Sequence, residues 1–376
     1  MIRLLSTTKK ALNSDKKKYI YGAGDVAREV FYCLSREPYC VSIDAFIVTK
    51  TLTDETQKIE GIPVISISDH SINKDAIIIV AVLEKYRDEI CQQLDDKGFQ
   101  DRILMTFESD IYSELREESF YNYCKQKDYP FLFSVDESPK KEIGHSGHQE
   151  DFCVYVTRSS RDKELKYAYT TKAWENEIFA GVALDNVGRY FITDDKGDNI
   201  SGKNRQYCEL TVMYWIWKNT DSEYIGLSHY RRRFDFEDDD IALIKDKDVD
   251  CVLTIPMINV PDVRYMYGKN HDASDWEVMV DVVNKMYPEY SQSLSVVGKS
   301  NYYVPYNMFV MKRNVLNDYC EWLFPILGEC EEIMGQKNDV YQNRYIGFLA
   351  ERLMTAYIYH HREDLKIMFC NKHFLE

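Results

Sequence analysis

Apolar runs and amphipathic stretches alternate along most of the 376-residue chain, and this alternation predicts a protein of the α/β class. In the N-terminal third, a continuous apolar run such as Ala76–Val82 is typical of a strand buried on both faces. The predicted order there is strand Lys18–Tyr21, helix Arg28–Ser35, strand Val41–Val48, strand Ala76–Val82, helix Glu84–Lys97 and strand Arg102–Met105. This order indicates a small doubly wound, Rossmann-like domain.

A second series of alternating segments begins at Phe152. Its predicted strands are 152–157, 224–228, 249–255, 301–311 and 365–369. Its predicted helices are Tyr207–Lys218, Asp275–Tyr287, Asn317–Cys330 (interrupted at Pro325) and Tyr345–Tyr359, and we expect a loop over Met257–Gly268. Two prolines and two glycines mark the segment between the series. We therefore predict a Rossmann-like domain at 1–128, a linker at 129–150, and a second α/β domain with a mixed, mostly parallel sheet at 151–376.

Charge and cysteine content narrow the class of protein. The net charge of -15 opposes nonspecific binding to nucleic acid or to an anionic membrane surface. The ten cysteines form no Cys-x-x-Cys pair, and several lie inside apolar runs, which favours free thiols in a reducing compartment. No segment approaches the roughly 20 apolar residues of a membrane span, and the N-terminus lacks the apolar core of a signal peptide. We expect a cytoplasmic protein. If it works at the inner face of the plasma membrane, we expect it to bind there peripherally.

The turn Gly22–Ala27 follows the first predicted strand and carries part of a dinucleotide-binding signature. Glycines at 22 and 24 permit a tight strand-to-helix turn, and Ala27 permits close packing of the helix on the strand. The second strand, however, ends in Val48-Thr49-Lys50 and lacks the acid that binds a ribose hydroxyl. Two interpretations stay open: a structural or weak ligand-binding turn, and a true cofactor site.

Cationic side chains follow two predicted strands of the second domain. Thr157 ends the first strand and Arg158 follows it, and His229-Tyr230-Arg231-Arg232-Arg233 follows the second. Because parallel strands of one sheet end at the same edge, we expect these side chains to lie together. Arginine forms strong, bidentate hydrogen bonds to phosphate, so this edge could neutralise a diphosphate. The alternative is a solvated basic turn.

Several carboxylates are candidates for a general base. Glu351 lies on the last predicted helix, and Asp194, Asp195 and Asp198 precede the predicted helix at 207. For Glu351 the alternative is an acid on the helix surface, paired with a neighbouring basic side chain. We interpret the acidic run 237–240 as a solvated loop, and the pair His145 and His148 as exposed linker residues and not a metal site.

Six short segments resemble a bacterial glycosyltransferase family of capsular, exopolysaccharide and O-antigen gene clusters, formerly described as a domain of unknown function. These segments are DNIS at 198–201, YCELT at 207–211, YWIWKN at 214–219, HYRR at 229–232, NMFVM at 307–311 and GFLAERL at 347–353. The resemblance extends roughly over residues 152–360. It implies a GT-A-like domain that transfers a sugar, such as galactose in pyranose or furanose form, from a nucleotide-sugar donor. The implied acceptor is a growing, lipid-linked polysaccharide or oligosaccharide.

The strand-end argument and the resemblance together give a set of candidate residues. The candidate catalytic residues are Glu351, Asp198 and His229. The candidate donor-binding residues are Thr157, Arg158, Asn199, Lys203, Asn204, Glu209, His229, Arg231 and Arg232.

A divalent cation is disfavoured as a cofactor. Many metal-dependent transferases of this architecture have a strand that ends in Asp-x-Asp and binds manganese or magnesium, whereas the corresponding strand here ends in His229-Tyr230-Arg231. A divalent cation prefers oxygen ligands, and arginine cannot bind it. We predict no metal ligand, and we expect cationic side chains to stabilise the departing nucleoside diphosphate. The pair Asp248 and Asp250 precedes its strand and fits such a metal site poorly.

Two other functions stay open on the sequence. One is an NAD-type oxidoreductase or epimerase that uses the Gly22–Ala27 turn. The other is a noncatalytic sugar-binding protein that keeps the fold without turnover.

Overall fold

The computed structural model of the protein describes residues 6–50, 57–133, 151–185 and 192–375. Within these ranges the chain forms two compact units, Met1–Lys127 and Asp128–Glu376. Most of the predicted linker, including His145 and His148, lies outside the described residues.

The first unit is a doubly wound α/β unit. Its strands are β1 Lys18–Tyr21, β2 Ala45–Val48, β3 Lys58–Ile59, β4 Ile62–Ser66, β5 Ile77–Val80 and β6 Arg102–Leu104. Its helices are α1 Ser6–Leu12, α2 Asp25–Leu34, α3 Arg87–Asp96 and α4 Asp110–Gln126. The sheet order is β3-β4-β2-β1-β5-β6, and every pairing except the antiparallel β3–β4 is parallel. This is the α/β architecture that the apolar runs predict.

The turn after β1 requires glycine at its first position. Gly22 has φ +125°, and a Cβ there would lie 2.5 Å from the carbonyl oxygen of Ala81. Ala27 on α2 is fully buried, and its Cβ lies 3.3 Å from the same point. The small residues at 22 and 27 thus allow β1, β5 and α2 to approach closely, which is a structural use of the glycine signature.

The second unit contains the larger sheet. Its strands are β7 Leu132–Phe133, β8 Phe152–Arg158, β9 Glu175–Phe179, β10 Tyr224–His229, β11 Arg232–Phe234, β12 Cys251–Thr254, β13 Met257–Ile258, β14 Tyr302–Tyr303, β15 Phe309–Lys312, β16 Ile367–Cys370 and β17 Lys372–Phe374. Its helices are α5 Asn204–Tyr207, α6 Leu210–Asn219, α7 Asp238–Asp246, α8 Val263–Asn270, α9 Ala273–Met286, α10 Ser291–Lys299, α11 Arg313–Met334 and α12 Tyr345–His360.

The larger sheet is mixed. Its main path is β17-β11-β10-β15-β12-β16-β7, and β8 pairs with β10 and β9 beside that path. The pairings β8–β9, β8–β10, β12–β16 and β7–β16 are parallel, and β15 runs antiparallel between β10 and β12. Within the described residues, all strands of this sheet except β11 and β15 therefore run in one direction, so their carboxyl ends lie at one edge.

Several local predictions for the second unit are wrong. The expected loop 257–268 contains β13 and most of α8. The expected strand 301–311 is divided into β14 and β15, which belong to different sheets, because Tyr306 and Asn307 have positive φ. Helix α11 continues through Pro325, and the acidic run 237–240 starts α7, where Glu237 and Asp240 form a capping box.

The predicted helix Tyr207–Lys218 is broken near its start. Helix α5 ends at Tyr207 and α6 begins at Leu210, because Cys208 has φ +51°. Asn204 holds this turn: its side-chain amide donates to the carbonyl oxygen of Cys208 and to Thr211 Oγ1. Tertiary hydrogen bonds thus override the helical spacing of the apolar residues.

The helices of both units are too short or too polar to cross a bilayer, as far as the described ranges extend.

Candidate active site

Strands β8 and β10 bring the predicted cationic edge together. They are adjacent and parallel, with Thr157 opposite His229, and the backbone N–H of Tyr230 donates to the carbonyl oxygen of Thr157. A tight hairpin then returns the chain into β11, where Arg232 pairs with His229. The end of β10 is therefore held between β8 and β11.

The three consecutive arginines have different environments. Arg233 is buried and forms an ion pair with the fully buried carboxylate of Glu175 at 3.1 Å. Arg231 and Arg232 are partly exposed. The guanidinium of Arg232 lies 4.2 Å from the ring centre of Tyr306, and its Nε has no hydrogen-bond partner among the described residues. Arg233 therefore stabilises the fold, while Arg231 and Arg232 lie where a ligand can reach them.

Arg158, at the end of β8, is partly neutralised by acids. Its Nη1 lies 2.8 Å from Glu177 Oε1, and its Nε lies 3.7 Å from Asp162. Glu177 also lies 3.8 Å from Arg233 Nη2. The net positive charge of this part of the edge is therefore smaller than the arginine count alone indicates.

The dipeptide Tyr306–Asn307 connects three elements of the site. The N–H of Tyr306 donates to Glu351 Oε1 at 2.6 Å, and its carbonyl oxygen lies 2.7 Å from His229 Nε2. The side-chain amide of Asn307 donates to Glu209 Oε1 at 2.7 Å and to the carbonyl oxygen of Gly347 at 3.2 Å. This dipeptide thus joins the end of β10 to the starts of α6 and α12.

Backbone strain is concentrated at this dipeptide and at the neighbouring turn. Tyr306, Asn307 and Cys208 have φ of +73°, +51° and +51°, and none of them is glycine. Such conformations cost on the order of 1–3 kcal/mol each, and they persist where surrounding contacts enforce them, most often at functional sites. The strained residues lie on both sides of the Glu209–Asn307 hydrogen bond, which marks this bond as the centre of the cluster.

Helix α12 contributes one face to the site. Arg344 immediately precedes the helix, and Gly347, Phe348 and Glu351 follow at spacings of three, four and seven. A Cβ at Gly347 would lie 3.5 Å from Cys208 Sγ, so the helix approaches the Cys208 turn closely. Nε of Arg344 donates to the same sulfur at 3.2 Å.

The two carboxylates of the cluster differ in how fully they are engaged. Glu351 accepts from the Tyr306 N–H through Oε1 and from Arg352 Nη1 through Oε2 at 2.5 Å. Glu209 accepts from the side chain of Asn307 through Oε1, and the only other hydrogen bond of its carboxylate among the described residues comes from its own backbone N–H. Burial raises the pKa of both carboxyls, and the charge of Glu209 adds to the effect on Glu351. Glu209 is therefore the less restrained of the two.

His229 is neutral in this environment. Burial lowers the pKa of its imidazole to about 3, and the charge of Arg232 acts in the same direction. A carbonyl oxygen can accept but cannot donate, so Nε2 carries the proton and donates it to Tyr306. His229 thus fixes the strained Tyr306 peptide group and is not itself a source of positive charge.

Four of the predicted site residues lie outside this cluster. Asp198 is exposed and bonds to Tyr214 and Asn219, at the end of α6 opposite Glu209. That helix is about 15 Å long, since each residue adds 1.5 Å, so Asp198 does not join Glu351 and His229 in one site. The Asn199 side chain bonds within its own loop, and Lys203 pairs with Glu331 at 2.6 Å. Asn204 supports the Cys208 turn and, through it, the position of Glu209.

Asp194, a further acid considered as a base, is fully buried and saturated with donors. It accepts hydrogen bonds from the N–H groups of Gly181 and Val182 and from the hydroxyls of Ser201 and Thr211. Through these bonds Asp194 links the loop before α5 to the segment at Gly181 and to helix α6. Asp195 bonds to Thr193 and Lys196 in the same loop.

Four residues that assemble the cluster are not among the candidate residues predicted from the sequence: Tyr306, Asn307, Arg344 and Arg352. A signal was present at Asn307, which is a buried polar residue within an apolar run. Buried amides are rare unless they bond to a specific partner. Arg344 and Arg352 gave no such signal, because arginine beside an amphipathic helix is common.

The end of β10 does not fit a divalent cation. His229 Nε2 donates its proton to the carbonyl oxygen of Tyr306 and so cannot bind a metal ion. The charged side chains that follow His229 in the sequence are those of Arg231 and Arg232. Within the described ranges, no three His, Cys, Asp or Glu side chains are arranged to hold one ion. The charged side chains nearest to His229 are thus guanidinium groups, which cannot ligate a cation.

Comparison with known proteins agrees with this architecture. No curated protein matches the chain. A solved structure, the WbbM bifunctional glycosyltransferase in its apo form, is similar over 60% of this chain with a TM-score of 0.52 and 26% sequence identity. The match spans 45% of that protein's chain.

The family model described as "Domain of unknown function (DUF4422)" matches residues 163–362, which include the carboxylate cluster and the ends of β10 and α12. The chain belongs to the DUF4422 family and is similar in structure to a glycosyltransferase.

Proposed function

We propose that the second unit is a glycosyltransferase domain that moves a sugar from a nucleotide-sugar donor to a hydroxyl of a saccharide acceptor. The observation that carries the proposal is the pair of partly buried carboxylates, Glu209 and Glu351, held by Tyr306 and Asn307 beside Arg232. Similarity to a glycosyltransferase structure supports the same activity.

The donor diphosphate binds at the ends of β8 and β10. Thr157 and His229 are opposite each other there, and Arg231 and Arg232 follow directly. An open α/β sheet binds its ligands at the carboxyl ends of the strands. Guanidinium groups at this edge stabilise the negative charge that develops on the leaving diphosphate. Arg158 contributes less, because Glu177 and Asp162 already engage it.

Glu209 serves as the general base, and Glu351 acts mainly through its position and charge. The second oxygen of Glu209 accepts the proton of the acceptor hydroxyl while that hydroxyl oxygen attacks the anomeric carbon of the donor. The bond between this carbon and the diphosphate oxygen breaks, and the diphosphate leaves with the electron pair. A raised pKa suits this role, because a base works best when its pKa approaches the working pH.

We infer that the reaction proceeds without a divalent cation, because β10 ends in His229-Tyr230-Arg231, whereas many metal-dependent transferases of this architecture have Asp-x-Asp there. A chelator should therefore leave the transfer rate within twofold of its untreated value. Loss of activity with chelator and its recovery with manganese would contradict this part of the proposal.

The biological acceptor is a capsular, exopolysaccharide or O-antigen repeat unit, carried on a lipid at the cytoplasmic face of the membrane. The sequence resemblance and the chemistry of the site support this assignment. Transfer to lipid extracts from a polysaccharide-producing cell, compared with extracts that lack the lipid-linked saccharide, would test it.

Donor binding is tested by thermal unfolding with a panel of nucleotide sugars and nucleoside diphosphates. A ligand that binds the folded state raises the melting temperature by mass action. We expect one class of nucleotide to raise the melting temperature of the wild type. The same nucleotide should raise the melting temperature of Arg231→Ala much less. Absence of a shift with every nucleotide would refute the proposed function.

A further inference from the structure

Three aromatic rings form a stack beside the carboxylate cluster. The ring of His271 lies 4.0 Å from that of Phe348 with an interplanar angle of 23°, and 5.8 Å from that of Tyr341 with an angle of 24°. The rings of Tyr341 and Phe348 are 5.2 Å apart. None of these rings takes part in the proposed transfer step.

The stack is both accessible and held in place. Tyr341 is 50% exposed, so a ligand can reach its ring. Its loop is fastened at both ends: Lys337 pairs with Asp272 and Asp275, and the Gln342 amide donates to the carbonyl oxygen of Asn270. An exposed aromatic ring in a fixed position loses little conformational entropy when a ligand binds to it.

The stack lies directly beside Glu351. Phe348 and Glu351 are three residues apart on one face of α12, and Arg344 lies over the Phe348 ring at 5.5 Å. Arg352 bonds both to Glu351 and to the carbonyl oxygen of Phe348. A ligand on the rings would therefore have its polar edge near Arg344 and the carboxylates.

We propose that Tyr341 and Phe348, supported by His271, form the platform on which the acceptor sugar ring stacks. The inference rests on the proposed function and names the acceptor subsite of the same site. One face of a pyranose presents C–H groups to an aromatic ring, while its hydroxyls point outward to polar partners. A hydroxyl at the edge of such a ring would reach the carboxylate cluster.

Stacking could also hold a nucleobase, but the position favours the acceptor. The cations suited to a diphosphate follow β8 and β10, whereas the rings belong to α12 and to the segments that pack on it. The carboxylates lie between these two regions, as a base must lie between the donor carbon and the acceptor hydroxyl. Burial and the charge of Arg352 also lower the pKa of His271 to about 3, so a neutral ring supports the stack.

The test is saturation-transfer NMR on the full chain, with two sets of probes. One set contains methyl pyranosides of glucose, galactose, mannose, rhamnose and N-acetylglucosamine, and the other contains UDP, GDP, dTDP and CMP. Tyr341→Ala and Phe348→Ala are the test variants. Tyr265→Ala is the matched control, because Tyr265 is an exposed tyrosine on the neighbouring helix α8 and is 58% exposed.

We expect ring protons of at least one glycoside to be saturated by the wild type and by Tyr265→Ala, and at least threefold less by Tyr341→Ala and Phe348→Ala. Base protons of the bound nucleotide should be unaffected by both test variants. If no glycoside gives a signal that depends on Tyr341, or if the base protons lose theirs instead, the acceptor platform is refuted. Failure of every nucleotide to bind would refute the proposed function separately, because the glycoside signals are measured without nucleotide.

Discussion

The side-chain amide of Asn307 lies 2.7 Å from Glu209 Oε1, and this hydrogen bond joins the loop before β15 to the start of α6. Asn307 is fully buried and has φ +51°, so its position is costly and is enforced by its surroundings. The preceding residue, Tyr306, holds Glu351 through its backbone N–H. Two consecutive residues thus set the relative position of both carboxylates.

Replacement of Asn307 separates its hydrogen bond from its backbone conformation. Both Asn307→Gly and Asn307→Ala lose the bond to Glu209, and we expect at least a tenfold lower transfer rate from each. Glycine accepts a positive φ, so Asn307→Gly should be more stable than Asn307→Ala by about 1 kcal/mol. Initial rates and urea unfolding measure the two effects. Full activity in Asn307→Gly would show that the amide does not position Glu209.

Asp194 should be a stabilising residue and not a catalytic one. Its removal in Asp194→Ala leaves four donors without their acceptor, and buried donors lose about 1–3 kcal/mol each. We expect the free energy of unfolding to fall by at least about 3 kcal/mol, whereas Asp195→Ala should change it by less than about 1 kcal/mol. Tryptophan fluorescence in urea reports this, because all five tryptophans belong to the second unit. Similar stability of the two variants would contradict the assignment.

Neighbouring arginines should affect different properties. Arg233→Ala leaves the buried carboxylate of Glu175 unpaired, and breaking a buried ion pair typically costs about 3–5 kcal/mol. Arg231→Ala should leave the melting temperature nearly unchanged and weaken nucleotide binding at least tenfold. Melting temperature and nucleotide titration give the two readouts. The account is wrong if Arg233→Ala melts like the wild type, or if Arg231→Ala binds nucleotide normally.

Neutral His229 should make the second unit less stable in acid. In the folded state the pKa of His229 is about 3, whereas an unfolded histidine has a pKa near 6.5. Between these values the unfolded state binds more protons, so stability falls as the pH falls, by about 2 kcal/mol between pH 7 and pH 5. Glu209 and Glu351, whose pKa values are raised, change stability in the opposite direction.

The variant His229→Gln isolates the histidine contribution, since glutamine keeps a side-chain donor but does not titrate. Between pH 7 and pH 5 the free energy of unfolding of the wild type should fall further than that of His229→Gln. The difference between the two falls should be about 2 kcal/mol. Urea unfolding at both pH values provides the measurement. Parallel pH dependence in the two proteins would mean that His229 is protonated in the folded state.

Sequence patterns predicted the α/β class and the positions of most strands, because buried strands are continuous apolar runs. They also brought Thr157, His229 and Arg231 to one edge, since parallel strands end together. The break at Cys208 and the division at Tyr306 and Asn307 could not be predicted in this way. Both depend on hydrogen bonds from residues distant in sequence or on positive φ at non-glycine residues, and neither leaves a periodic signal.

The candidate residues show the same limit. Glu209, His229 and Glu351 lie in one cluster, but only His229 was placed by a predicted strand end. Glu209 depends on the break at Cys208, and Glu351 is the seventh residue of α12. Asp198 was selected for its residue type within a short motif, yet it lies at the far end of α6 from Glu209. Residue type indicated which groups could act, but the distance between them came only from tertiary structure.

Release of nucleoside diphosphate from the preferred nucleotide sugar is the most direct test of the central claim. The wild type should release it, with a rate increased by a saccharide acceptor. Glu209→Gln should fold and bind nucleotide as the wild type does but release the diphosphate at least a hundredfold more slowly, because glutamine cannot accept the acceptor proton. A Glu209→Gln variant with wild-type turnover would contradict the account, as would a wild-type protein that releases no diphosphate from any bound nucleotide sugar.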